Sequence, residues 1–112
     1  MRKKTRWLVL IPSLLFLSAC GQPVPADKAA YVGEWHAQGM NLTVMQDGRV
    51  LYKRVKSNST TSIDAPLRRF EGDNLVVGIP YISTTFEVSK PPYQDGGAWK
   101  MVVDGVELTR TP

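Results

Sequence analysis

Cys20 and His36 are the chain's one thiol and one imidazole, so any chemistry more demanding than hydrogen bonding has few places to sit. A metal shell or a nucleophile relay needs partners at recognisable spacing, and a lone histidine has none. His36 therefore reads as a strand position without special chemistry. Serines and threonines are numerous, but none occupies the Gly-x-Ser-x-Gly frame that exposes a nucleophile on a tight turn. Asp47, Asp73, Asp95 and Asp104 each adjoin a glycine, which is the composition of turns rather than of an acid–base pair. No glycine-rich phosphate cradle is present and no cofactor is implied. Arg68-Arg69 would need to act as a clamp to hold an anion, yet neighbours along a strand point to opposite sides. The expectation is that this chain is not an enzyme.

Cys20 has a distinctive setting. A basic start with Arg2, Lys3, Lys4 and Arg6 leads into an apolar run from Trp7 to Leu17, and Leu17-Ser18-Ala19-Cys20 is followed by Gly21. That is the layout of a secretory signal peptide. From Trp7 to Ala19 there are only 13 residues, interrupted by Pro12 and Ser13, whereas a spanning helix needs about 20 apolar residues. Leu17-Ser18-Ala19-Cys20 closely resembles the lipobox of bacterial lipoproteins. The resemblance implies that Cys20 receives a diacylglyceryl group, that residues 1–19 are removed, and that the new amino terminus is acylated, palmitate being an acyl group of this kind. Each buried methylene contributes about 0.8 kcal/mol, so such an anchor holds without help from the protein surface. Lipoproteins of this type with aspartate after the cysteine are retained in the inner membrane. Gly21 at that place implies the outer membrane, periplasmic face.

Loss of residues 1–19 changes the charge argument. The chain has fourteen Lys and Arg against ten Asp and Glu, and Arg2, Lys3, Lys4 and Arg6 account for the whole excess. The remaining 93 residues carry no formal net charge. A nucleic-acid partner, which needs a concentrated basic footprint, loses its support. With one cysteine no disulfide forms within the chain, so a single small core must stabilise the fold by packing. Residues 20–25 read as a tether, because Pro23 and Pro25 favour an extended path of about 3.1 Å per residue.

Residues 26–112 read as an all-β domain. The stretch from Ala26 to Tyr31 suits a helical turn or two, with Asp27 near the favourable amino end and Gly33 ending it. From Glu34 onward the apolar period is two. Asp47-Gly48 suits a type I′ hairpin turn, which pairs Val44 with Leu51, Leu42 with Lys53 and Met40 with Val55 on the inward face. A polar stretch over 57–62 follows, and Pro66 should interrupt the next strand. Gly72-Asp73 makes a second hairpin, with Phe70 opposite Leu75 and Arg68 opposite Val77. Ile82, Thr84, Phe86 and Val88 alternate as one half-buried strand. Pro91-Pro92-Tyr93 resembles a proline-rich recognition motif, but its ordinary use is to stiffen a loop before Asp95-Gly96-Gly97. Asp104-Gly105 makes the last hairpin, pairing Val103 with Val106, Met101 with Leu108 and Trp99 with Arg110. The total is about eight short strands, the count of a small antiparallel meander barrel or sandwich.

Gly33-Glu34-Trp35 after a short helical turn resembles the Gly-x-Trp start of lipocalin-type barrels, and Arg110 resembles the arginine that packs over that tryptophan. A cation over an indole face is worth about 0.5 to 2 kcal/mol. The wider pattern of Trp35, Asp47-Gly48, Pro91-Pro92-Tyr93, Trp99-Lys100-Met101 and Val103-Asp104-Gly105 is similar to small Gram-negative lipoproteins that have no assigned function. If the barrel is open, Trp35, Phe86, Trp99 and Arg110 are the expected lining of a ligand pocket. Interiors of small barrels, however, are usually filled by side chains. The expectation is a lipid-anchored binding or scaffold module of the cell envelope, with an envelope protein as partner. The alternative is a lipocalin-like carrier or sensor of a small apolar ligand.

Overall fold

A computed structural model describes residues 22–112. The signal peptide over residues 1–19, the lipobox and the lipid attachment at Cys20 lie outside the described residues. Period-two alternation becomes nine antiparallel strands: β1 Gly33–Ala37, β2 Met40–Val44, β3 Arg49–Lys56, β4 Ser59–Glu71, β5 Asn74–Ile79, β6 Ile82–Phe86, β7 Val88–Asp95, β8 Ala98–Val103 and β9 Val106–Arg110. A 3₁₀ helix, Ala26–Tyr31, precedes them where the helical turn was expected. The fold is all-β, a single sheet in the order β6-β5-β4-β3-β2-β1-β9-β8-β7 that curls into a half-barrel.

The pairing of β1 with β9 curls this meander, because it brings the first strand beside the last. The two ends of the sheet, β6 and β7, are separated in sequence by Glu87 alone. They are two halves of one bent run, the first pairing with β5 and the second with β8. Side chains stitch the bend. Asp104 Oδ1 accepts the Glu87 N–H at 2.9 Å, the Asp104 N–H donates to the Glu87 carbonyl at 2.7 Å, and Asn74 Oδ1 accepts the Val88 N–H at 2.8 Å. The single strand expected from Ile82 to Val88 is therefore broken at Glu87. Phe86 and Val88 are buried, whereas Ile82 and Thr84 are exposed.

The last hairpin has the expected register, with Val103 opposite Val106 and Met101 opposite Leu108. Asp104 and Gly105 both have positive φ, as a type I′ turn requires. Asp47-Gly48 behaves differently. Gly48 donates to the Met45 carbonyl and Met45 to the Arg49 carbonyl, each at 2.9 Å, and only Gly48 has positive φ. Gln46-Asp47-Gly48 is thus a three-residue loop, and the extra residue shifts the register by one. Val44 pairs with Val50 and Leu42 with Tyr52, so Val50 and Tyr52 turn inward while Lys53 and Val55 turn outward.

Pro66 does not interrupt β4. It sits where β4 leaves β3, at the last pair with Arg49, and begins to pair with β5. A bulge between Leu67 and Arg69 places Leu67, not Arg68, opposite Val77, which buries a leucine where alternation would have faced an arginine inward. Phe70 meets Leu75 as expected. Pro91-Pro92-Tyr93 lies in β7 rather than in a loop. Since β7 ends the sheet, prolines lacking an N–H are tolerated there.

Inside the curl, Trp35, Leu42, Val50, Leu75, Met101, Val103 and Leu108 are each 0 % exposed. Residues 22–25 are extended, as two prolines dictate, and they are fastened. Gln22 donates to the Leu67 carbonyl at 3.1 Å, Val24 donates to the Gln46 carbonyl at 3.0 Å, and Gln46 Nε2 returns a bond to the Val24 carbonyl at 3.0 Å. Val24 is buried in the core.

Gly48 has φ +97°, and a Cβ there would collide with the Gln22 carbonyl, whereas Gly72 has φ +62° and open space around it. Gly48→Ala should therefore cost about 1 to 3 kcal/mol more than Gly72→Ala, which carries only backbone strain. Urea denaturation of the two variants measures the difference; equal costs would mean that residues 22–24 do not press on the loop.

Candidate functional site

Trp35, Trp99 and Arg110, three of the four residues expected to line a pocket, do come together. Trp35 on β1 is buried, and its Nε1–H donates to the Tyr31 carbonyl at the end of the 3₁₀ helix at 2.9 Å. Arg110 is its register partner on β9. The Arg110 guanidinium carbon lies 5.8 Å from the Trp35 ring centroid and 5.1 Å from that of Trp99. Its Nη1 reaches the Ala30 carbonyl at 3.5 Å, and beyond it the Thr111 N–H donates to the Glu34 backbone carbonyl at 2.8 Å. Gly33 explains the spacing. It has φ +143°, and a Cβ there would lie 2.7 Å from Arg110 Cδ, so only glycine lets the arginine stem cross on its way to Trp35.

Phe86 sits elsewhere in this scheme. It pairs with Leu75, and its ring packs on Tyr52 with centroids 4.8 Å apart. Trp35 and Phe86 belong to one packed interior, and Arg110 is a clamp between two indoles.

A groove of about 450 Å³ opens on the surface instead, between residues 22–28 and the end of β4. Pro23, Pro25 and Phe70 give it apolar walls, and Lys28 and Arg68 supply cations. Lys28 Nζ lies 5.4 Å from the Phe70 ring centroid and 3.8 Å from the Asp73 carboxylate. Tyr31 buttresses this wall, edge-on to Phe70 at 5.0 Å and donating its hydroxyl to the Asp73 carbonyl at 2.8 Å. Burial, and then the Asp73 charge, push the Tyr31 phenol up to about 12. This groove was not legible from strand patterning, because one wall is the segment expected to be a tether. The available signal was Val24, an apolar residue between two prolines.

The remaining polar groups have local work. His36 is exposed on β1, with Nδ1 2.7 Å from Asn41 Oδ1 and Nε2 3.9 Å from Glu34. Asp47 Oδ1 accepts the Arg49 N–H within its own turn at 3.1 Å. Arg49 grips Asp64 with two bonds of 2.9 and 2.7 Å, and this holds the Asp64 carboxyl below its usual range. Arg69 turns to Glu71 at 2.7 Å, away from any clamp with Arg68. Among the described residues no three His, Cys, Asp or Glu side chains are grouped so as to hold a metal ion. Comparison with known proteins finds no matching family model, curated protein or solved structure.

Arg110→Ala should lower stability by about 1 to 2 kcal/mol, because it removes one cation from two indole faces. Arg110→Lys, which cannot lie flat on both rings, should recover only part of this. Equilibrium denaturation followed by tryptophan fluorescence reads both; an alanine variant as stable as the parent would show that the clamp carries no weight.

Proposed function

We propose that this protein is a lipid-anchored binding or scaffold module on the periplasmic face of the outer membrane, held there by acylated Cys20. The observation that carries the reading is the filled interior. Trp35, Leu42, Leu75 and Met101 occupy the space where a carried ligand would sit, so recognition falls to the outside of the sheet. The passage of Arg110 across Gly33 onto Trp35 supports the lipocalin-type likeness in the wall of the barrel, without its cup.

The fastened amino-terminal segment supports the anchored reading in a second way. Gln22 is bonded to Leu67, and Cys20 precedes it by two residues. At no more than about 3.6 Å per residue, that leaves roughly 7 Å of slack. An acylated cysteine would therefore hold the domain against the bilayer with its Gln22 and Gly48 side facing the lipid. A partner would be met on the remaining surfaces. The carrier reading keeps one observation in its favour, the groove of about 450 Å³ beside Leu67 and Phe70, which falls in the size range of small-molecule sites.

Fractionation and crosslinking of the full chain in cells test these readings. Cys20→Ser should move the protein from membranes to a soluble fraction, and the lipidated parent should crosslink to an envelope protein. A Cys20→Ser variant that stays with membranes would refute the single anchor, and recovery of bulk lipid alone would refute the partner. The carrier reading expects instead that fatty acids raise the melting temperature of the parent and not that of Arg68→Ala.

A further inference from the structure

We infer that the outer edge of β6 is an interaction surface that pairs with β6 of a second copy of this chain. The inference stands on the two ends of the sheet and does not depend on the anchor.

A sheet that ends in strands exposes rows of unpaired N–H and C=O groups, and natural proteins blunt such edges with proline, lysine or bulges. At one end this has been done. β7 carries Lys90, Pro91 and Pro92, and its register shifts twice along its pairing with β8. At the other end nothing comparable is present. β6 is Ile82-Ser83-Thr84-Thr85-Phe86, uncharged, free of proline and glycine, and composed mainly of residues that favour strands. It pairs with β5 in unbroken register on one side only. The hairpin tip leading into it is apolar and unprotected: Ile79 is 52 % exposed, Tyr81 95 % and Ile82 72 %.

The same end of the sheet is suited to itself. Two β6 strands related by a two-fold axis run antiparallel, and residues directly opposite must share a face. Centring the axis on Thr84 sets Thr84 against Thr84, Ser83 against Thr85, and Ile82 against Phe86. Each is a favourable kind of cross-strand pair, and the strand has no charge to set against its own copy. The register also covers Ile82, whose side chain shares the face of buried Phe86 but is left exposed in the single chain. A charged or basic peptide would find no complementary group on this strand, which favours the second copy as occupant.

Sedimentation of the full chain in density-matched detergent tests the pairing. The parent should show a concentration-dependent dimer. Thr84→Lys, at an exposed position, should keep the melting temperature that the parent has when dilute enough to be monomeric, but associate at least about tenfold more weakly, because it places like charges opposite each other at the axis. Thr84→Val, uncharged and favourable in strands, should associate as the parent does. A parent that stays monomeric to about 100 µM, or a Thr84→Lys variant that dimerises as well as the parent, would overturn the inference. So would loss of association in Thr84→Val. A heterologous extended peptide bound at this edge would appear as a monomeric parent, and so counts against the second copy.

Discussion

The Arg110 guanidinium, lying between the Trp35 and Trp99 rings, fastens the last strand of this domain to the first. A meander of hairpins is locally self-sufficient, since each strand finds its neighbour through a short turn. The pairing of β1 with β9 is the exception: it joins segments far apart in sequence and must offset a large loop-closure entropy. Two register pairs carry it, Trp35 with Arg110 and His36 with Thr109. The indole–cation stack adds side-chain energy where the backbone ladder is short. Gly33 is the steric condition for that stack, and the Trp35 bond to Tyr31 sets the ring's angle.

Once the first and last strands are held together, two gaps in the ladder have to be managed. Beyond Pro66, β4 has left β3 behind, and residues 22–24 take over as a makeshift strand that bonds to Leu67 and Gln46 and buries Val24. At Glu87 the chain turns from one edge of the sheet to the other, and Asp104 and Asn74 replace the missing backbone partners. Each gap is closed by an element with its own turn or proline chemistry. Two of the four aspartates beside glycines serve these turns directly, Asp47 and Asp104, whose carboxylates accept backbone N–H groups. The proposed binding role follows from the same economy, since a core closed in this manner leaves only its outer faces free.

Much of this was legible in the residues. Alternation identified an all-β meander, the Asp104-Gly105 register was right to the residue, the approach of Arg110 to Trp99 followed from that hairpin, and its approach to Trp35 came from the lipocalin-type resemblance rather than from any strand pairing legible in the sequence. The failures have physical causes. Asp47-Gly48 carries the same dipeptide as Asp104-Gly105, but a two-residue and a three-residue loop both accept it, and the three-residue form is the one against which Gln22, far off in sequence, packs. Local alternation from Ile82 to Val88 does not show that the partner strand changes at Glu87. Arg68 was set opposite Val77 because a bulge is invisible to period two, and the contact of Phe86 with Tyr52 joins strands too far apart in sequence for alternation to reveal it.

Native-state hydrogen exchange across the sheet tests the central claim most directly. If the joint between β1 and β9 holds the curl, the amides of Thr109 and Thr111 should exchange only through global unfolding, with the same opening free energy as Leu42 and Met101. Exchange of the β1 and β9 amides through a separate, lower-energy opening, while β2 and β3 stay protected, would contradict it: the curl would then persist without that joint.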